Sequence, residues 1–351
     1  MTRLSCPFVN TDGRRVVHAG LKRAVVGLLT GLVLLAAWSG WWISRDLPLE
    51  ASTIELAIEP GTPVRQIAEQ VSVAGVDVSP SLLYWMFRLS GQARLIRAGN
   101  YEITPGVSAW QLLQKLARGE ESLQAVTLIE GWTWRQWRAA LDKAEFLRHD
   151  TRDLSDAELA RRLGLAPDTL EGRFYPDTYT YGKGSSDVKL LQRAQRAMER
   201  QLALVWKQRA DDLSITQIEQ ARVLASLIEK ETGRASDRAM ISSVFHNRLR
   251  LGMPLQTDPT VIYGMGSRFD GNLRRRDLRS DHPWNTYTRN GLPPTPIAMP
   301  GKGAMMAAVQ PARSRALYFV ARGDGSSEFS DNLEQHNQAV DKFQRSKRQA
   351  Q

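Results

Sequence analysis

The chain has 351 residues, 42% of them apolar and 24% charged, which is the usage of folded globular protein and excludes a largely disordered or coiled-coil chain. Its only cysteine is Cys6, so an intramolecular disulfide and a cysteine-held zinc or iron centre are excluded. The formal charge is +10, but the basic residues are spread out and Arg274-Arg275-Arg276 is the only run of three; without a binding module or an aromatic-laced basic stripe, the charge reads as a surface facing an anionic envelope, with no nucleic-acid partner.

Residues 24–43 read AVVGLLTGLVLLAAWSGWWI. This uncharged stretch is long enough, as a helix, to cross the roughly 30 Å hydrocarbon core. Trp38, Trp41 and Trp42 gather at its far end, where indole rings favour the bilayer interface, and Arg14, Arg15, Lys22 and Arg23 precede it. That asymmetry keeps the N-terminus cytoplasmic. A cleaved signal peptide has an apolar stretch of about 7 to 15 residues and a small-residue cleavage site. This longer, tryptophan-ended stretch reads instead as a retained single-pass anchor, with everything after Arg45 outside the inner membrane.

Between Ser52 and Gly119 strand and helix signals alternate: TIELAI, PVRQIAEQV, SPSLLYWMFRLSG, AGNYEI and SAWQLLQKLARG. They predict a compact βα module whose last helix is capped by Ser108 and ended by Gly119. A second region starts near Val126 with VTLIEG and then Trp132, Trp134 and Trp137. The first two of these tryptophans suit a strand or turn, and core packing is favoured over sugar stacking for all three. From Asp187 to Lys230 the pattern is helical.

Chemistry concentrates at residues 214–233, SITQIEQARVLASLIEKETG. Ser214 and Gln217 have capping-box spacing and Gly233 can stop the helix. At about 100° per residue, Leu224, Leu227 and Ile228 lie within about 60° of Glu231, whereas Glu229 points about 160° away. Only Glu231 is therefore expected to face the interior or a cleft. Burial disfavours its charged form, and a carboxyl kept neutral near neutral pH can protonate a leaving oxygen, as glycosidic bond cleavage requires. The plainer alternative is a boundary glutamate in a salt bridge or cap.

A second helix is expected over residues 237–251, with Ser236 as cap and Gly252 as stop. GMPLQTDPTVIYGMG follows, then WNTYTRNGLPPTPIAMPG and LYFVARGDG. Segments so rich in Pro, Gly, Asn, Thr and Tyr read as irregular loops that supply fixed polar groups and aromatic faces to a sugar-binding cleft. There is no phosphate-binding Gly-Lys-Ser/Thr loop, no His-Glu-x-x-His and no Gly-x-Ser-x-Gly elbow. His246, His282 and His336 lack metal-ligand spacing, so neither a metal nor a cofactor is expected, and His336 reads as a hydrogen-bonding residue.

EGRFYPDTY from Glu171, LIEKETG from Leu227, VFHNRL from Val244, LQTDPTVIYGMG from Leu255, NTYTRNGLPP from Asn285, LYFVARGDG from Leu317 and EQHNQAV from Glu334 resemble, in this order, the endolytic murein transglycosylases of the membrane-anchored YceG-like family. The resemblance runs from the anchor to about Phe343. It implies an inner-membrane anchor, a small LysM-like module and an α+β catalytic domain acting on peptidoglycan. The family's catalytic glutamate matches Glu231, in agreement with the helical wheel. Gln256, Thr257, Asp258, Tyr263, Asn285 and Tyr287 match shared positions assigned to the cleft. Two departures stand out: Ser326-Ser327-Glu328 occupies the place of a common Gly-Gly-His, and Thr295 stands where Gly is common.

The expected organisation is a cytoplasmic tail at 1–23, a transmembrane helix at 24–43, a linker at 44–51, the LysM-like module at 52–125, the catalytic domain at 126–345 and a tail at 346–351. The resemblance further implies endolytic cleavage of the MurNAc-GlcNAc bond to 1,6-anhydro ends, with peptidoglycan glycan strands and peptidoglycan synthases as partners. The competing functions are a lysozyme-like muramidase, for which Asp258 or Glu229 would be the second carboxylate, and a non-catalytic peptidoglycan-binding scaffold.

Overall fold

The computed structural model describes residues 12–167 and 170–345, and side chains from Val26 onward except that of Arg345. Cys6, residues 1–11 of the expected tail, the side chains of Arg14, Arg15, Lys22 and Arg23, and the 346–351 tail lie outside the described residues. Helix and strand are mixed, and the strands among the described residues form three two-stranded sheets. The chain divides into two compact units, Met1–Leu123 and Gln124–Gln351.

The first unit opens with helix α1 (Asp12–Ser44). Its Val26–Ser44 portion is long and apolar enough to cross a membrane, and Leu28, Leu32, Val33 and Leu34 are exposed along it. Trp38 and Trp41 also stay exposed, but Trp42 is buried in the core of the unit. The reason lies in the chain that follows: the Leu47 N–H donates to the Val107 carbonyl at 3.0 Å, and Asp46 and Leu49 bridge to Ser108 and Val76. The stretch expected as a linker is thus folded onto the module. Then come β1 (Ile54–Ile58), α2 (Val64–Val73), α3 (Pro80–Leu89), β2 (Gly99–Ile103) and α4 (Ala109–Arg118).

Strands β1 and β2 pair antiparallel, and Ile54, Leu56 and Ile58 alternate inward, as a half-buried strand requires. Ser108 and Gln111 form a full capping box on α4, and Gly119 closes that helix with φ +71. These local signals act as the sequence predicts.

Strand β3 (Leu123–Leu128) leads into the second unit, followed by α5 (Trp134–Asp142), α6 (Asp156–Arg162), β4 (Asp177–Gly182), α7 (Asp187–Lys207) and α8 (Ile218–Glu231). Trp134 starts a helix instead of continuing a strand, because Thr133 and Gln136 form a capping box there. Trp134 and Trp137 are buried against Phe174, so core packing is their role. The helical pattern expected from 187 to 230 is two helices, broken at 208–217. The cap of α8 is Gln217, whose N–H is held by the Gln220 side chain at 3.0 Å. Ser214 is drawn away from the helix start by a 2.7 Å bond to His246 Nδ1.

The chain continues through α9 (Ala235–Arg250), α10 (Asp258–Met265), α11 (Arg275–Arg279) and α12 (Lys302–Val309), then β5 (Tyr318–Ala321), β6 (Ser327–Ser330) and α13 (Leu333–Val340). The cap position of α9 is Arg234, with the Thr232 hydroxyl accepting the Arg234 N–H at 3.0 Å, so Ser236 is not its cap. Gly252, at φ +67, does end it, and the Met253 N–H reaches back to the Arg248 carbonyl at 2.9 Å. Helix α8 packs against α7, α9, α10 and α12; residues Ala221 to Ile228 are all buried. It is the axis on which the candidate site is built.

Candidate active site

A helix buried all round has no polar face, and this decides where Glu229 goes. Its side chain is 5% exposed and faces Arg238 at 3.5 Å. One oxygen accepts the Gly301 N–H at 2.9 Å, at the start of α12, where a negative charge meets the positive end of the helix. The expectation that only Glu231 turns inward is therefore corrected. Desolvation raises the Glu229 pKa, while the Gly301 N–H and Arg238 pull it back. A Cβ at Gly301 would meet Glu130 Oε2 at 1.9 Å, so that half-exposed side chain would have to turn aside.

Glu231 ends α8, and its carboxyl is desolvated although the residue keeps some exposure. Desolvation pushes its pKa from 4.5 to about 7. The Thr257 hydroxyl donates to Glu231 Oε1 and lowers the value, the charge of Asp258 raises it, and that of Arg248 lowers it. At neutral pH the carboxyl is thus divided between acid and base forms.

The partner of Glu231 is held by a knot of threonines. The Thr257 N–H donates to Thr286 Oγ1 at 3.1 Å, and Thr260 Oγ1 reaches both the Thr257 carbonyl at 2.7 Å and Thr286 Oγ1 at 2.9 Å. Thr257 is the N-cap of α10 yet makes no side-chain cap bond. Its hydroxyl serves Glu231, and Pro259 in the first turn needs no donor satisfied. The segment expected as an irregular loop is therefore helical from Asp258, for proline favours a helix start. Just before it Gln256 adopts φ +50, a strained value for a residue with a Cβ, so that exposed Gln256 and Asp258 flank buried Thr257.

Arg248 on α9 fastens this bend. Its guanidinium donates to the carbonyls of Leu317 at 2.7 Å, Pro254 at 3.2 Å and Leu255 at 3.0 Å, and to Gln256 Oε1 at 3.3 Å. It also lies over the Tyr318 ring, on which His336 stacks. Tyr287 donates to Asp258 Oδ1 at 2.5 Å. Asn285 is fully buried and holds the loop that presents Tyr287: its amide reaches the Leu278 and Ser280 carbonyls at 3.1 and 2.7 Å, and its Oδ1 accepts the Tyr287 N–H at 2.8 Å.

The structure thus groups Glu231, Thr257, Asp258 and Tyr287, with Gln256 tied in through Arg248, and gives Asn285 a supporting place. Tyr263 contacts other groups: it bonds buried Glu171 and Thr295 and packs edge-on against Trp284. Thr295 also accepts the Trp284 indole N–H at 2.9 Å, which gives this chain's departure from glycine a role. At the other departure, Glu328 pairs with Arg322.

Arg248, Thr286 and Glu171 went unremarked in the sequence. Arg248 carried a signal, for it continues the Ile241, Val244, Phe245 stripe at helical spacing, where an arginine is out of place unless bonded. Among the described residues no three His, Cys, Asp or Glu side chains group as metal ligands would. What the arrangement offers is a single proton-transferring carboxyl, poised near neutrality beside a polar rim.

The profile of the YceG-like family matches residues 56–342. The chain belongs to this family. Among its relatives, the endolytic murein transglycosylase of Bacillus subtilis (strain 168) is 31% identical over 313 residues, 84% of this chain and 86% of that protein. The endolytic murein transglycosylase of Streptococcus pneumoniae (strain ATCC BAA-255 / R6) is 27% identical over 362 residues, 91% of this chain and 65% of that protein. The crystal structure of a yceG-like protein of Listeria monocytogenes is 29% identical, with a TM-score of 0.50, and the match covers 82% of this chain and 98% of that one.

Proposed function

We propose that this YceG-like protein is an endolytic murein transglycosylase, a lyase that cuts the bond between N-acetylmuramic acid and the following N-acetylglucosamine within glycan strands. The observation that carries the reading is Glu231, a desolvated carboxyl with a pKa of about 7 whose bonded side-chain partner is the Thr257 hydroxyl. Glu231 in its acid form protonates the glycosidic oxygen as the bond from C1 to that oxygen breaks. The C6 hydroxyl oxygen of the same muramic acid bonds to C1, and its proton passes to the Glu231 carboxylate, which restores the acid. No water is consumed. The attacking oxygen is tethered beside the reacting carbon, which raises its effective concentration far above that of a free reactant. One group therefore performs both proton transfers.

In this reading Thr257 orients the carboxyl, Asp258 and Tyr287 flank the reacting sugar, Gln256 stands at the rim, and Asn285 and Tyr263 support the cleft walls. A lysozyme-like hydrolase would need Asp258 as its second carboxylate. Digestion of purified glycan strands in heavy-oxygen water separates the two. Unlabelled 1,6-anhydro ends on mid-strand fragments are expected, whereas labelled reducing ends would make the protein a hydrolase, and no cleavage at all would leave a scaffold.

The residues from 24 to 43 act as a single-pass inner-membrane anchor, with a cytoplasmic N-terminus and a periplasmic catalytic domain at 126–345. Support comes from the length and apolar composition of the Val26–Ser44 helix portion. A phosphatase joined to the C-terminus should be active, and an inactive fusion would reverse the orientation. The module at 52–125 is of the LysM-like kind, an assignment supported by two helices set between two antiparallel strands. Release of strands at the membrane face makes peptidoglycan synthases the natural partners, a pairing that co-purification from crosslinked membranes would test.

A further inference from the structure

An open cavity of about 430 Å³ is lined by Arg275, Leu278, Arg279, Tyr287 and Thr288. One of its walls is Tyr287, whose hydroxyl is bonded to Asp258, the acid whose charge reaches Glu231. The cavity therefore adjoins the candidate cleft. Its opposite wall is α11, on which Arg275 and Arg279 stand four residues apart and so on one face. Both are exposed.

The neighbouring basic residues are matched: Arg274 pairs with Asp270 at 2.7 Å, Arg276 with Asp277 at 3.7 Å and Arg289 with Asp281 at 2.9 Å. No ion pair engages Arg275 or Arg279 among the described residues. Like charges at this spacing oppose the helix. Asn285 nonetheless fixes the end of α11 beside the loop of Tyr287, through its bonds to the Leu278 and Ser280 carbonyls. Two uncompensated guanidinium groups that share this cavity with the Leu278 side chain and Tyr287 form a receptor for a carboxylate on a partly apolar stem.

We propose that Arg275 and Arg279 bind the carboxylates of the peptide stem carried by the strand and make the enzyme selective for peptide-bearing over bare glycan. The inference rests on the transglycosylase reading of the same site. The stem hangs from muramic acid, the sugar whose C1 reacts at Glu231, so its carboxylates are the anionic groups carried closest to an internal cut. A phosphate-linked strand end would lie farther along the substrate.

The test compares the full-length protein with an R275Q/R279Q double variant, on uncrosslinked strands with their stems and on the same strands with the stem carboxylates converted to amides. Because hydrogen bonds between charged groups are among the stronger ones, KM for stem-bearing strands should rise by about tenfold or more in the variant. Its kcat should stay level, and on the amidated strands both constants should equal those of the parent. A variant that matches the parent on both substrates, or that weakens equally on both, overturns the proposal. If the parent itself releases no anhydro ends from either substrate, the transglycosylase reading fails first and the stem-binding proposal falls with it.

Discussion

Glu231 and Glu171 sit in different surroundings and yet titrate alike. Burial raises both from 4.5 to about 7. Around Glu171 every direction is filled by fixed donors: the Trp134 N–H at the start of α5 reaches its two oxygens at 3.0 and 3.1 Å, and the Gly172 N–H and Tyr263 hydroxyl complete the set. Glu231 has the Thr257 hydroxyl and the opposed charges of Asp258 and Arg248 instead. A raised pKa therefore reports desolvation, which a structural staple and the proposed catalytic acid share. What separates them is whether an oxygen remains for a substrate, and Glu171, 8% exposed, has none to offer.

The largest expected effect breaks that symmetry directly. Glu231→Gln keeps the size of the side chain and an acceptor for Thr257 but cannot deliver a proton, so turnover should fall by about 10²- to 10⁴-fold with the fold intact. Glu171→Gln should instead lower the melting temperature and leave the activity per folded molecule near that of the parent. Strand-cleavage rates read beside thermal unfolding check both, and a dead Glu171→Gln protein with normal melting would undo the comparison.

Glu229→Gln comes next in size. It removes the nearer of the two carboxylates beside Arg238, leaving Glu130 at 3.9 Å, which should cost about 2 kcal/mol of stability, while catalysis by the remaining folded protein changes little. Denaturant unfolding beside a rate measurement would show it, and loss of turnover without loss of stability would return Glu229 to the list of catalytic candidates.

The smallest effects are in pH dependence. In the proposed reaction the acid form of Glu231 acts first, so cleavage should decline as pH rises through about 7. Asp258→Asn removes the charge that raises the Glu231 pKa, and the decline should move to lower pH. A profile that shifts upward would contradict the electrostatics of the site. Stability follows the same proton. With the folded pKa raised above 4.5 to about 7, the Glu231 contribution is fully present below about 4.5 and is lost as pH rises through about 7. Glu231→Gln should therefore flatten the fall in melting temperature between acid and alkaline buffer.

Much of this was legible one segment at a time. The capping box at Ser108, the stops at Gly119 and Gly252, the alternation in β1 and the length of the apolar stretch each rest on contacts within a few residues. The position of Glu231 was legible too, because a helix face is a local property. Two local signals failed where a distant group intervened. Ser214 bonds His246 instead of capping α8, and Trp42 enters the core of the first unit while its neighbours stay exposed.

By itself the sequence determined the mixed helix-and-strand class, the apolar N-terminal helix, the family and the presence of an inward-facing carboxyl at the end of α8, since periodicity, caps and motif spacing need only neighbouring residues. Tertiary structure alone decided that α8 is buried on every side, and with it that Glu229 turns inward to Gly301 and Arg238. It decided likewise that Arg248 holds the strained turn at Gln256, that Asn285 fixes the loop of Tyr287 and Tyr263 bonds Glu171, and that Thr257 meets the carboxyl. A helical wheel assigns directions around one axis, but whether a direction ends in water, in a donor or in a cleft depends on which other elements pack there, and those reach from Asp187–Lys207 of α7 to Lys302–Val309 of α12.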